Sequence, residues 1–198
     1  MTSLPGTLTA GFFGKIPTRG DFVRANLPGP LVLALDTWCQ DVIPASRTLL
    51  GSTWTDAWME APIWRFLIAP GICGPGAAAG LWLPSTDKAG RLFPLIPALS
   101  APNWPTLAHG APFLDAAEPI ALTAIEQDVT PAQLATALTA ALAAALDATH
   151  GAATLPGDPW PEPPGTLWWT EGSGRVAPAR HAHPGLPGAA AFAAMLQD

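Results

Sequence analysis

Apolar residues fall along the chain in short periodic segments separated by proline and glycine. Thr9 to Phe13 is a brief apolar run closed by Gly14 and Pro17, the form of a first strand entering a turn. After Pro28 and Pro30, Leu31, Leu35, Trp38 and Val42 recur at spacings of three and four, with Asp36, Gln40 and Asp41 on the other face. That pattern predicts an amphipathic helix, and Pro44 is expected to stop it. Thr53, with Asp56 three residues on, reads as the capped start of a short second helix that must end before Pro62. Ile63 to Ala69, Ala79 to Pro84 and Leu92 to Leu99 then read as three strands of an antiparallel meander, because turn residues separate them at close intervals. Pro94 and Pro97 cannot donate to a ladder, so the third strand is expected at an edge or with a bulge.

The second half is more helical. Residues 100–112 form a proline-broken connection, and 113–127 a helix that Pro119 opens or kinks. Thr130, Pro131 and Gln133 make a capping box ahead of a stripe of Leu134, Leu138, Leu142 and Leu146, with Gly151 as the expected stop. A second proline-rich connector, Thr154 to Gly165, leads to a strand at Leu167 to Trp169. A Gly/Pro/His segment then precedes a last helix from about Gly188, whose Phe192 and Leu196 are four apart. The reading is one domain over 1–198, with a motif-bearing half, 9–99, and a helical and C-terminal half, 100–198.

Composition narrows the function. Only 12% of residues are charged, so each charge within an apolar segment calls for a compensating partner. The net charge of -6 offers no basic stripe for a phosphate backbone, so nucleic acid is not an expected partner. Met1 to Ala10 has no basic n-region or apolar h-region, and Leu134 to Leu146 is too short to span a bilayer, so a cytoplasmic protein with no membrane insertion is expected. The 24 Pro and 19 Gly would suit disorder, but nine Trp and seven Phe are spread among them, which fits a folded chain with rigid connections. Cys39 and Cys73 are far apart with no CxxC spacing and read as buried thiols without chemistry.

The chemistry-bearing motifs fail on their own requirements. Gly14-Lys15 follows a strand as in a phosphate-binding loop, but Thr9 and Ile16 stand where that loop needs a glycine and a hydroxyl. Arg19-Gly20-Asp21 reads as a turn flanked by an ion-pairing couple. A metal site could be proposed for His181 and His183 with His150, but the two closely spaced histidines lack a third ligand at useful spacing. Ser85 is not in a Gly-x-Ser-x-Gly elbow, and His109 could serve it as a base only by coincidence. No catalytic residue, metal or cofactor is therefore expected. What survives is a set of charges among the apolar strands: Lys15, Arg19, Asp21, Arg65, Asp87 and Arg91. They form either a mutual network, with Arg65 paired to Asp21 or Asp87, or a partner-recognition surface.

The same residues carry a family resemblance. Gly11 to Val23 (Gly-Phe-Phe-Gly-Lys-Ile-Pro-Thr-Arg-Gly-Asp-Phe-Val), Trp38-Cys39-Gln40, Pro62 to Phe66, Pro70 to Gly74 and Leu83 to Leu95, in that order, resemble the TagF (ImpM) accessory proteins of bacterial type VI secretion. Leu167 to Thr170 and Gly185 to Phe192 resemble the family's C-terminal end. The resemblance implies an α/β fold, a three-layer αβα sandwich with helices about a mixed, largely antiparallel sheet. It also implies a cytoplasmic, non-enzymatic repressor of type VI secretion that binds the forkhead-associated scaffold protein Fha or another component of the apparatus. The family has no established catalytic residues to carry over. A small hydrolase acting on a phosphorylated component of the pathway is the alternative, and it requires Ser85, Asp87 and a His or metal to converge.

Overall fold

The computed structural model describes residues 8–108, 111–150 and 162–197, the last three of the middle stretch by backbone alone. In chain order the elements are β1 (Thr9–Gly14), β2 (Val23–Ala25), α1 (Gly29–Leu50), α2 (Trp54–Met59), β3 (Trp64–Ile68), β4 (Ala77–Trp82) and β5 (Leu95–Ala101). They continue with α3 (Trp104–Ala108), α4 (Phe113–Glu126), α5 (Pro131–His150), β6 (Thr166–Thr170), β7 (Ala179–His183) and α6 (Ala189–Gln197). All seven strands join one sheet in the order β2-β1-β5-β4-β3-β6-β7, so the C-terminal strands extend the sheet begun by the first half.

Strand alternation sorts the side chains onto two faces, and helices cover both. Phe13, Trp64, Phe66, Trp82 and Trp168 meet α1, α2 and α6 through Leu35, Trp38, Trp58 and Phe192. Phe12, Leu67, Leu81 and Leu99 meet α3, α4 and α5 through Leu107, Ala117 and Leu138. The three-layer α/β sandwich is thus present, and each pairing between named strands is antiparallel, so the sheet is wholly rather than largely so. Gly80 sits opposite Phe66, and a Cβ there would lie 2.4 Å from the Phe66 ring; the missing side chain is what leaves room for that aromatic.

The meander β3-β4-β5 has the expected order, but β5 is not an edge: it lies between β1 and β4. Pro97 is accommodated by an interruption. The β4-β5 ladder runs to Gly80↔Ala98, skips the next two positions and resumes at Leu83↔Leu95, where the two residues exchange both backbone hydrogen bonds. Counting by twos from that pair places Pro97 at a position that should donate to Leu81, and the missing N–H is the gap.

Other differences have equally local causes. α1 runs through Pro44 to Leu50 rather than stopping there; Pro44 and Gln40, whose carbonyl loses its helical partner, are both exposed, so water can serve that carbonyl. Thr53 does not cap α2: its hydroxyl donates to the Leu50 carbonyl at 2.9 Å, within a short 3-10 turn joining the two helices. α3 and β7 were not evident as elements, since α3 is five residues beside two prolines and β7, Ala-Arg-His-Ala-His, is mostly exposed and lacks an apolar alternation. The capping box of α5 forms as read, with Gln133 N–H on Thr130 Oγ1 at 3.2 Å and Thr130 N–H on Gln133 Oε1 at 2.8 Å. Its expected stop at Gly151 lies outside the described residues.

Gly14 closes β1 at φ +136°, and a Cβ there would lie 2.0 Å from the Pro94 carbonyl oxygen. Gly20, in the loop that follows, has open space around the same position. Gly14→Ala should therefore cost on the order of 2 kcal/mol and lower the thermal midpoint by roughly 4–8 °C. Gly20→Ala should leave the midpoint nearly unchanged; equal effects of the two in a thermal melt would contradict the close approach of β1 to Pro94.

Candidate functional site

The densest polar arrangement lies where the β4-β5 connection meets the loop between β1 and β2. Thr86 bridges Leu92 across this connection, and the Asp87 N–H donates to the Arg91 carbonyl, closing a tight reversal at residues 88–90. The Asp87 side chain points inward and is wholly buried. Its Oδ2 accepts from Lys15 Nζ at 2.9 Å and from Arg91 Nε at 2.6 Å, and its Oδ1 from the backbone amides of Ala89 at 2.9 Å and Arg91 at 3.0 Å. Burial alone would raise this carboxyl. The hydrogen bond from Lys15, followed by those from Arg91 and the Ala89 amide, outweighs it and holds Asp87 far below the usual carboxylate range.

Further bonds fasten the two loops together. Arg91 Nη2 donates to the Gly20 carbonyl at 2.7 Å, and the Lys88 N–H to the Arg19 carbonyl at 2.9 Å. The Lys15 N–H donates to the Pro94 carbonyl, but Pro94 has no N–H to return the bond; the Ser85 hydroxyl donates to the Lys15 carbonyl instead, at 2.9 Å. Ser85 is thus a substitute ladder donor, and its hydroxyl is committed to the backbone.

The six charges singled out in the sequence divide into separate groups. Lys15, Asp87 and Arg91 form the buried knot. Arg19 lies beside it, with Nη1 on the Thr18 carbonyl at 3.0 Å and facing Asp128 at 3.3 Å, not Asp21. Asp21 is exposed and forms no ion pair among the described residues, so the expected Arg19/Asp21 couple is absent. Arg65 pairs with neither Asp21 nor Asp87. It projects from β3 to the opposite face of the sheet and grips α4 through Asp115 at 2.6 Å and Glu118 at 2.9 Å. Strand alternation explains this: Trp64 and Phe66 face α1 and α6, so Arg65 must face α4.

Two apolar residues escaped sequence reasoning. Phe22 is 52% exposed, although its ring stacks on Phe13 with centroids 5.8 Å apart, meets Phe93 edge-on at 4.7 Å and carries Lys15 Nζ 4.9 Å from its centre. Leu33, 67% exposed, lies off the buried stripe of α1. With Phe13, Val32, Arg24, Gly29 and Asp36 they line an open groove of about 340 Å³. The available signal was Leu33's position outside the three-and-four spacing; Phe22, within a charged loop, gave none.

His181 and His183 lie on β7, beyond β3 and β6 from the knot, with ring centroids 6.4 Å apart. Among the described residues no group of three or more His, Cys, Asp or Glu is placed to hold a metal; His109 and the His150 side chain lie outside them. Cys39 and Cys73 are buried and unpaired. Burial pushes the Cys73 thiol up to about 11 and the Cys39 thiol well above its ordinary value, which keeps both protonated and unreactive.

Residues 11–141 match the family model described as the TagF N-terminal domain, type VI secretion system-associated. Among solved structures the chain is similar to PA0076 from Pseudomonas aeruginosa PAO1, at 30% sequence identity and a TM-score of 0.77, over 95% of this chain and 94% of that one. No curated protein gives a significant match.

Because the folded-state Asp87 is depressed, its contribution to stability is complete above the unfolded pKa of roughly 4 and is lost as pH falls through the lower folded value. Asp87→Asn should melt below the wild type at neutral pH, and the two midpoints should converge on acidification below about pH 4. Adding Lys15→Met should restore part of the loss, since it removes the ammonium left without its counter-ion. A gap between the melting curves that is constant across pH would contradict this account.

Proposed function

The chain belongs to the type VI secretion-associated TagF N-terminal domain family, and from that premise we propose that it is a non-enzymatic cytoplasmic regulator that represses type VI secretion by binding a protein of the apparatus. The forkhead-associated scaffold Fha is the first candidate partner and another component the second. The observation that carries the reading is the state of the charged knot in the motif blocks. Asp87 accepts four hydrogen bonds, Ser85 is spent on the Lys15 carbonyl, and both hold loops rather than aim a group at solvent. A nucleophilic serine must give its proton to a base and a general base needs a free lone pair, whereas the Ser85 proton goes to a backbone carbonyl and the Asp87 oxygens already accept four bonds.

The hydrolase alternative needs Ser85, Asp87 and a His or metal together. The histidines whose side chains are described, His181 and His183, sit on β7, three strand positions from β4, which Ser85 follows. No helix of the described chain is long and apolar enough to cross a membrane, which suits a protein that meets its partner from solution.

The test is expression of the chain in a bacterium with an active type VI system and its own copy deleted. Restored expression should sharply lower contact-dependent killing of a competitor, and affinity capture should recover a component of the apparatus. Killing unchanged by expression, or release of phosphate from a phosphorylated component by the purified chain, would overturn the proposal.

A further inference from the structure

The end of the sheet that carries the knot also concentrates the chain's positive charge. Lys15, Arg19, Arg24, Lys88 and Arg91 are five of the nine Lys and Arg, and among the described acidic residues Asp21, Asp36, Asp87 and Asp128 lie around them. Burial takes one charge of each sign from the surface and leaves the excess of one cation in place. Asp87 is enclosed and neutralised by Lys15, whereas Arg24 and Lys88 are exposed, Arg91 is 65% exposed along its side chain and Arg19 is 33% exposed. On a molecule of net charge -6 this end carries a small local excess of positive charge.

The groove adjoins these cations. Phe13, Phe22, Val32 and Leu33 form its apolar wall and Arg24 stands on its rim. Its floor is already ordered: Phe22 is held by Phe13 and Phe93, and the loop bearing it by the Arg91 bond to Gly20. A partner would not have to fix these side chains on binding, a cost that weakens association where it must be met. Scattered exposed apolar residues need no explanation, but Phe22 and Leu33 share one concavity beside the densest cations of the chain.

We infer that this end docks an acidic protein segment, with one aromatic or aliphatic side chain seated between Phe22 and Leu33 and its carboxylates against Arg24, Lys88 and Arg91. The inference rests on the regulatory reading above and names the surface through which the regulator would bind. Asp36 also lines the groove and repels carboxylates placed beside it, which favours the partner's carboxylates at Arg24.

The test uses the full chain and a short fluorescein-labelled peptide rich in Glu with one central Phe. Fluorescence anisotropy should show binding that weakens as salt rises from about 0.1 M to about 0.5 M. The same peptide with Lys for Glu should not bind, and that with Ser for Phe should bind more weakly. The variant Arg24→Glu/Leu33→Asp changes two exposed residues and should weaken binding roughly tenfold or more with an unchanged melting midpoint. Leu49→Asp/Arg180→Glu, exposed elsewhere, should bind as the wild type does. Failure of the acidic peptide to bind, or equal behaviour of the two variants, overturns the surface. In cells, repression that survives Arg24→Glu/Leu33→Asp also overturns the surface but leaves the regulatory reading standing. A wild-type chain that does not repress sinks that reading, and the peptide measurement still decides the surface.

Discussion

The first half of this chain is organised around one buried carboxylate. Asp87 is enclosed at the mouth of the β4-β5 connection, and charge there is tolerated only because four donors converge on its two oxygens. Two of those donors are backbone amides of its own turn, so the residue fixes the turn that contains it. The other two, Lys15 and Arg91, carry the constraint outward, one to the end of β1 and the other to the Gly20 carbonyl. The loop over residues 15–22 is held by this centre together with the Ser85 and Lys88 bonds to its backbone and the packing of Phe22 on Phe13 and Phe93.

Charge elsewhere is spent with similar economy. Arg65 ties the centre of the sheet to α4 through two carboxylates, one of them mostly exposed, so solvent screens part of its contribution. Arg175 reaches Glu60 at 2.9 Å, joining the segment before β7 to the end of α2. These contacts bind helices and loops to a sheet whose buried centre is mostly apolar. The sheet tolerates prolines in its interior by local substitution: a gap in the ladder at Pro97, and the Ser85 hydroxyl in place of the Pro94 amide.

Where the local pattern decides the structure, it was legible in the sequence. The Leu31-to-Val42 stripe, the Thr130 capping box and the meander from Ile63 to Leu99 became the elements they suggest. Pro44 and Pro97 misled because proline rules describe isolated helices and strands, whereas burial of Leu35, Trp38 and Ile96 holds those elements through the lost bonds. The candidate site was legible as a list of charges and not as a geometry. That Arg65 would separate from Asp87 follows from alternation along β3, but its partners on α4 depend on a packing that no spacing encodes. β7 was illegible because an exposed edge strand needs no apolar period.

Asp87 and Lys15 form an internal frame, and Arg24, Lys88, Phe22 and Leu33 lie on the face that frame presents. Hydrogen exchange of the chain, alone and with the component of the secretion apparatus proposed as its partner, tests this most directly. The account predicts that binding slows exchange in residues 18–24, 29–36 and 86–91 and leaves β7 and α6 unchanged. Protection confined to β7 and α6, with the Phe22 end unaltered, would contradict it.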